Sequence, residues 1–158
     1  MVRGGQVWPL SDVPRYMVMK TWKAHTSRTC LEYYAGKIYS AGYDGFIMVW
    51  DCRTQILVTT LIGQALPVNC LRIHDGKLYS GSDDHTIKIW NCSTNALITT
   101  MTGHTDWTRC LKFHEGKLYS GSDDLTIKIW NCGTNTIIAT LTGHNNGVNC
   151  LELHDGEL

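Results

Sequence analysis

A period of 40 residues constrains this chain more than any other feature of its sequence. Moving Cys110, Tyr119, Ser120, Asp124 and Trp130 back by 40 positions lands on Cys70, Tyr79, Ser80, Asp84 and Trp90. A second step of the same size lands on Cys30, Tyr39, Ser40, Asp44 and Trp50. Self-similarity at a fixed period of this size implies stacked supersecondary units, each stabilised mainly by its neighbours. Within each unit, short β-rich runs are separated by turn residues. In the third copy these are TRCLKF, LYSGSDD, TIKIWNC and TIIATL, with Glu115-Gly116 opening the first turn. Asp-Gly and Glu-Gly pairs between such runs are hairpin signals. The expected class is all-β.

Lys plus Arg and Asp plus Glu are 14 each, so the chain is formally neutral and has no overall field to draw it to nucleic acid or to an anionic membrane. No apolar run is long enough to span a bilayer, and no signal peptide is legible at the N-terminus. The expected setting is intracellular, cytoplasmic or nuclear. Cys30, Cys70, Cys110 and Cys150 share one repeat position, and Cys52, Cys92 and Cys132 share another. Without a C-x-x-C pair, these read as reduced structural thiols and not as metal ligands. Neither a metal nor a cofactor is expected.

Along the chain, residues 1 to about 13 read as a tail, and residues 14–158 as the repeat region. Arg15 to Lys23 reads as a lone outer strand. Repeats follow at about 25–63, 64–103 and 104–143, and a truncated copy at 144–158 supplies a lone inner strand.

The Gly103-His104 and Gly143-His144 openings, the SGSDD turns and the closing pairs Trp50-Asp51, Trp90-Asn91 and Trp130-Asn131 resemble the WD-repeat family. The resemblance covers about residues 15 to 158. It implies a β-propeller of four-stranded antiparallel blades, here an incomplete ring. It also implies a hydrogen-bonded network of His104, Ser120, Asp124 and Trp130 within one blade. Side-chain chemistry agrees, because a buried Trp N–H needs an acceptor and a Ser hydroxyl can both accept and donate. The first copy offers His25, Ser40, Asp44 and Trp50, with one residue fewer between His25 and Cys30. The second offers Ser80, Asp84 and Trp90, with Gln64 where His is expected. The third blade is therefore expected to be the best formed. A Ser–His–Asp catalytic reading fails, since the set recurs with a Trp partner, the Ser lies inside a strand and no nucleophile elbow is present. No enzyme is expected. The recurrent His74, His114 and His154 read as turn-end residues.

If recurrent residues serve structure, function lies in what differs between copies. The resemblance places the varying loops on one face, and there the candidate partner-binding residues are Arg28, Tyr43, Asp83, His85, Asp106, Trp107, Arg109 and Asp123. Trp, Tyr and Arg are the types that anchor protein interfaces. Arg28 and Arg109 suit an acidic or phosphorylated motif. The expected partner is a protein or peptide, with no nucleic acid and no membrane. Three blades do not close a ring, so homo-oligomeric self-association is a physical expectation. Two alternatives stand beside the scaffold reading. One is a split or excised propeller fragment whose main property is assembly. The other is the substrate-recognition part of a ubiquitin-ligase or kinase system.

Overall fold

The structure is a computed structural model that describes His25, Ser27 and residues 29–152. Twelve strands form three antiparallel sheets of four. Blade 1 holds β1 (Thr29–Tyr34), β2 (Lys37–Gly42), β3 (Ile47–Asp51) and β4 (Leu57–Leu61). Blade 2 holds β5 (Val68–His74), β6 (Lys77–Ser82), β7 (Ile87–Asn91) and β8 (Leu97–Met101). Blade 3 holds β9 (Thr108–His114), β10 (Lys117–Ser122), β11 (Ile127–Asn131) and β12 (Thr136–Leu141). Strands within each sheet pair in sequence order, and no helix occurs among the described residues.

The first hairpin of each blade turns on two residues with positive φ: Ala35-Gly36, Asp75-Gly76 and Glu115-Gly116. Both central positions being left-handed is the geometry whose twist matches the flanking strands. The second strands, KIYSAG, KLYSGS and KLYSGS, are buried almost throughout: each lies inside its own sheet and packs against a neighbouring blade, on both faces in blade 2. Such strands carry near-continuous runs of apolar and small residues, not alternation. Gly81 shows why one member must be small: a Cβ there would lie 2.7 Å from the Cys70 sulfur and 2.8 Å from a Thr108 methyl of the next blade.

The core lies between blades. Tyr39, Val49 and Leu61 of blade 1 cluster with Leu71, Leu78 and Trp90 of blade 2. Tyr79, Ile89 and Met101 of blade 2 cluster in the same way with Leu111, Leu118 and Trp130 of blade 3. Polar groups also cross the first of these junctions, where Tyr39 Oη and Lys37 Nζ donate to the Cys92 carbonyl at 3.2 and 3.3 Å.

The expected outer strand at Arg15–Lys23 lies outside the described residues. The expected inner strand of the fourth copy is corrected by its described part, residues 148–152, which are not a strand. That stretch lies along blade 3, with the Val148 N–H on the Ser122 carbonyl at 3.0 Å. A strand is made by its ladder partners, and residues 148–152 have no following hairpin strand among the described residues.

Candidate functional site

Each blade carries a polar chain that runs inward from its loop end. In blade 3, Trp130 Nε1 donates to Ser120 Oγ at 2.8 Å, and Ser120 Oγ lies 2.7 Å from His104 Nε2. His104 Nδ1 lies 2.7 Å from an Asp124 carboxylate oxygen. The consistent proton pattern has the Ser hydroxyl accept from indole and donate to a neutral imidazole, which in turn donates to the carboxylate. Burial holds the His104 pKa below its ordinary value, against the upward pull of Asp124. Burial would raise the Asp124 carboxyl, but hydrogen bonds from Thr126, His104 and the Thr105 N–H outweigh it and hold the group well below the carboxylate range.

Blade 1 has the same contacts despite its shorter loop. Trp50 Nε1 donates to Ser40 Oγ at 3.0 Å, His25 Nε2 lies 2.9 Å from that oxygen, and His25 Nδ1 lies 2.9 Å from Asp44. The missing residue does not break the chain of contacts.

Blade 2 reaches the same end with other chemistry. Trp90 Nε1 donates to Ser80 Oγ at 3.0 Å, and Gln64 Nε2 donates to it at 2.8 Å. Gln64 makes no described hydrogen bond to Asp84, and Lys88 bridges the two. Its Nζ donates to Gln64 Oε1 at 3.2 Å and to Asp84 Oδ2 at 2.9 Å. Asp84 is held below its usual pKa, since bonds from Thr86 and Lys88 outweigh the opposing effect of burial. Sequence reasoning missed Lys88. The same residue type at position 128 points instead to Thr140 at 3.2 Å, so only Gln64 beside it marks the difference.

The loops between blades and the tight turns after β2, β6 and β10 lie side by side. The Asp83 N–H donates to the Pro67 carbonyl at 2.9 Å, and the Asp123 N–H donates to that of Trp107 at 3.0 Å. At the centre stands Arg109. Its Nε donates to both Asp123 oxygens at 3.0 Å, and one terminal nitrogen donates to Oδ2 at 2.6 Å. The other terminal nitrogen lies 3.8 Å from Asp83, a residue of the neighbouring blade. Hydrogen bonding to Asp123 and the charges of both carboxylates push the Arg109 pKa up, with burial opposing. The guanidinium sits 4.4 Å from the centre of the Trp107 ring. Asp83 is buried and also receives Asn69 Nδ2 at 2.7 Å, while that amide reaches the Thr108 carbonyl at 3.1 Å.

The structure thus brings Trp107, Arg109, Asp123 and Asp83 together. Tyr43, on the equivalent turn of blade 1, is exposed and near enough to act on the Arg109 charge. His85 is exposed on the β6–β7 turn at φ 68°, with no described contact to the Arg109 cluster. Asp106 is half-buried and accepts from the Trp107 N–H at 2.8 Å. Arg28 lies outside the described residues. Because Arg109 is already bound by two carboxylates, it does not offer the free cation that an acidic motif would need.

Below this mouth, the inner strands and residues 149–152 border a groove of about 350 Å³ lined by Cys30, Cys70, Cys110 and Cys150 among others. Burial pushes Cys30 up to about 12 and Cys110 up to about 11, and it raises Cys70 as well. These are protonated thiols without nucleophilic character. No group of three or more metal-ligating side chains forms among the described residues. His74 stacks on Phe113 of the next blade at 4.5 Å, a packing role for a turn-end residue.

A family model described as "WD domain, G-beta repeat" matches residues 17–51, 55–91 and 95–131. No curated protein matches the sequence significantly. Among solved structures, the chain is similar to one of U3-55K, with 28% identity and a TM-score of 0.74. It is similar also to the WD40 repeats of RRP9, with 28% identity and a TM-score of 0.73. Each match covers 79% of this chain and 42% of the other, so the chain spans less than half the length of these proteins.

Proposed function

Because the chain belongs to the WD domain, G-beta repeat family, we propose that it is a non-catalytic interaction scaffold that takes a protein or peptide partner on its loop face. The observation that carries this reading is the Trp107–Arg109 pair. Trp107 is exposed, yet its indole stacks on a guanidinium that Asp123 holds through three hydrogen bonds. An aromatic anchor fixed before binding loses little conformational freedom on association, which is what makes an interface hot spot. Tyr43 extends the aromatic surface toward blade 1.

Catalysis has no support in the blade networks. Ser120 is fully buried and its oxygen is engaged by Trp130 and His104, so it is out of reach of any substrate. A nucleic-acid partner is disfavoured by the neutral chain and by the carboxylates that occupy Arg109.

The test is selection from a displayed random-peptide library, followed by measured affinities for the wild type and Trp107→Ala. Loss of about tenfold or more in affinity is expected for the selected peptides, as for a hot-spot aromatic. Peptides that bind both forms equally, or a library that yields no binder, would remove the loop-face reading.

The same proposal includes self-association. Apolar residues remain exposed on the outer sides of blades 1 and 3, as with Leu31 and Leu141. Light scattering across a concentration series tests this, and a monomer throughout would end it.

A further inference from the structure

Asn146 is the only asparagine in the chain that is followed by glycine, and it is exposed in the loop after β12. Asparagine is a chemically labile residue. Its side-chain amide can be attacked by the backbone nitrogen of the next residue, and a glycine there has no side chain to obstruct the approach. The geometry for this step is already set. The Gly147 N–H donates to Asn146 Oδ1 at 2.8 Å, and the amide carbon to be attacked is one bond from that oxygen. Holding the reacting groups in contact removes part of the entropic cost of joining them. Other asparagines are held differently. Asn91 and Asn131 accept from N–H groups two and three residues on. Asn69 Nδ2 is bound to Asp83 and to the Thr108 carbonyl, and Asn149 Nδ2 to the Gly147 carbonyl.

We propose that Asn146-Gly147 is a self-modification site on the loop face. Hydroxide takes the proton of the Gly147 amide, and the nitrogen bonds to the side-chain amide carbon of Asn146. The side-chain nitrogen leaves as ammonia, taking a proton from water, and a five-membered succinimide ring closes. Water then adds to either ring carbonyl. One opening gives aspartate; the other gives isoaspartate, in which the main chain runs through the former side chain. In sum, water enters and ammonia leaves. Nothing is oxidised or reduced, and the solvent supplies the whole of the co-reactant.

The two products act differently on the fold. Aspartate is already accommodated at this repeat position: Asp106, one repeat earlier, accepts from the Trp107 N–H at 2.8 Å as Asn146 accepts from that of Gly147. This product keeps the loop and adds a negative charge next to the contact between Gly147 and Asp123. Isoaspartate instead lengthens the main chain by one carbon between residues 146 and 147. Gly147 has no room to move toward blade 3. A Cβ on it would collide with Asp123 Oδ1 and lie 3.2 Å from the Asp123 Cα, and Arg109 holds that carboxylate through three hydrogen bonds. The added length is therefore taken up outward, and it breaks the 3.0 Å bond from the Val148 N–H to the Ser122 carbonyl.

The experiment ages the full chain in mildly alkaline and in mildly acidic buffer and maps its peptides by mass spectrometry. Electron-transfer fragmentation tells aspartate from isoaspartate. Both acids are expected to accumulate at position 146 ahead of every other asparagine, and faster in the alkaline sample because hydroxide takes the proton. The signal is expected to be lost in Asn146→Gln, whose longer side chain would have to close a larger ring. If Asn146 stays intact in the folded chain, the proposal is overturned, and reaction there only after unfolding in guanidinium would show that the fold protects the bond. Another asparagine reacting first overturns it equally. Amide hydrogen exchange then tests the consequence for the loop. Val148 is expected to keep its protection in Asn146→Asp and to lose it in the isoaspartate fraction of the aged chain. Equal protection in both means that the longer main chain does not disturb the loop, which overturns that part of the proposal.

Discussion

A buried neutral histidine makes stability depend on pH in a direction that can be worked out. Burial depresses the His104 pKa below its ordinary 6.5, so between the two values the unfolded chain binds the proton that the folded chain refuses. Stability contributed by this group is complete above about 6.5 and is lost as pH falls through that value. Asp124, also depressed from its ordinary 3.8, adds a second loss at lower pH. The denaturant midpoint should thus be lower at about pH 5.5 than at about pH 7.5. His104→Gln imports the residue that blade 2 uses at this position. It should cost roughly 1 kcal/mol at neutral pH, because glutamine alone does not span from Ser120 to Asp124. It should also flatten the slope between the two pH values. A variant with the slope of the wild type would mean that His104 is not the group titrating. Which residues form the network was implied by the resemblance to the WD-repeat family, with side-chain chemistry in agreement. How blade 2 manages without His was not, because the answer is a lysine whose twin in blade 3 does something else.

The hairpin turns are where sequence speaks most directly about an element. Asp75-Gly76 and Glu115-Gly116 mark turns with two left-handed residues, and blade 1 uses Ala35-Gly36 with Ala35 at φ 47°. Alanine gains nothing in that region, while asparagine tolerates it through its short polar side chain. Ala35→Asn should therefore stabilise the chain by about 0.5–1 kcal/mol, measured as a higher urea midpoint with an unchanged slope. A lower midpoint would show that this turn is not limited by backbone strain. Local chemistry fixed turns and strands alike, and the blades were legible for that reason. Residues 148–152 were not, since VNCLE resembles the start of β5 closely and differs from it in having no following strand to pair with among the described residues. The loop-face site was half legible for the same reason. Trp107, Tyr43 and Arg109 stand out by type, but the two carboxylates on Arg109 come from the turn of its own blade and from the next blade over. Only the assembled fold shows that the arginine is already neutralised.

At the scale of the whole molecule, one repeat position can have very different energetic weight, because its burial depends on the blade beside it. Leu31, Leu71 and Leu111 are equivalent in sequence, yet among the described blades only the latter two have a preceding blade over them. Leu71→Ala should cost about 2–5 kcal/mol, as deletion of a packed core leucine does. Leu31→Ala in dilute protein should stay within about 0.5 kcal/mol, the range of a surface change. Chemical denaturation of both variants across a protein concentration series separates two cases. If Leu31→Ala remains near-neutral at every concentration, Leu31 is solvent-exposed in the working protein, and among the described blades only blade 2 has both faces covered. If its cost grows with concentration toward that of Leu71→Ala, the leucine is being buried by another molecule, because a unimolecular fold has no concentration term. The second result is the one expected here. On that result, the blade packing that forms the core of the chain would also be the kind of contact through which chains associate.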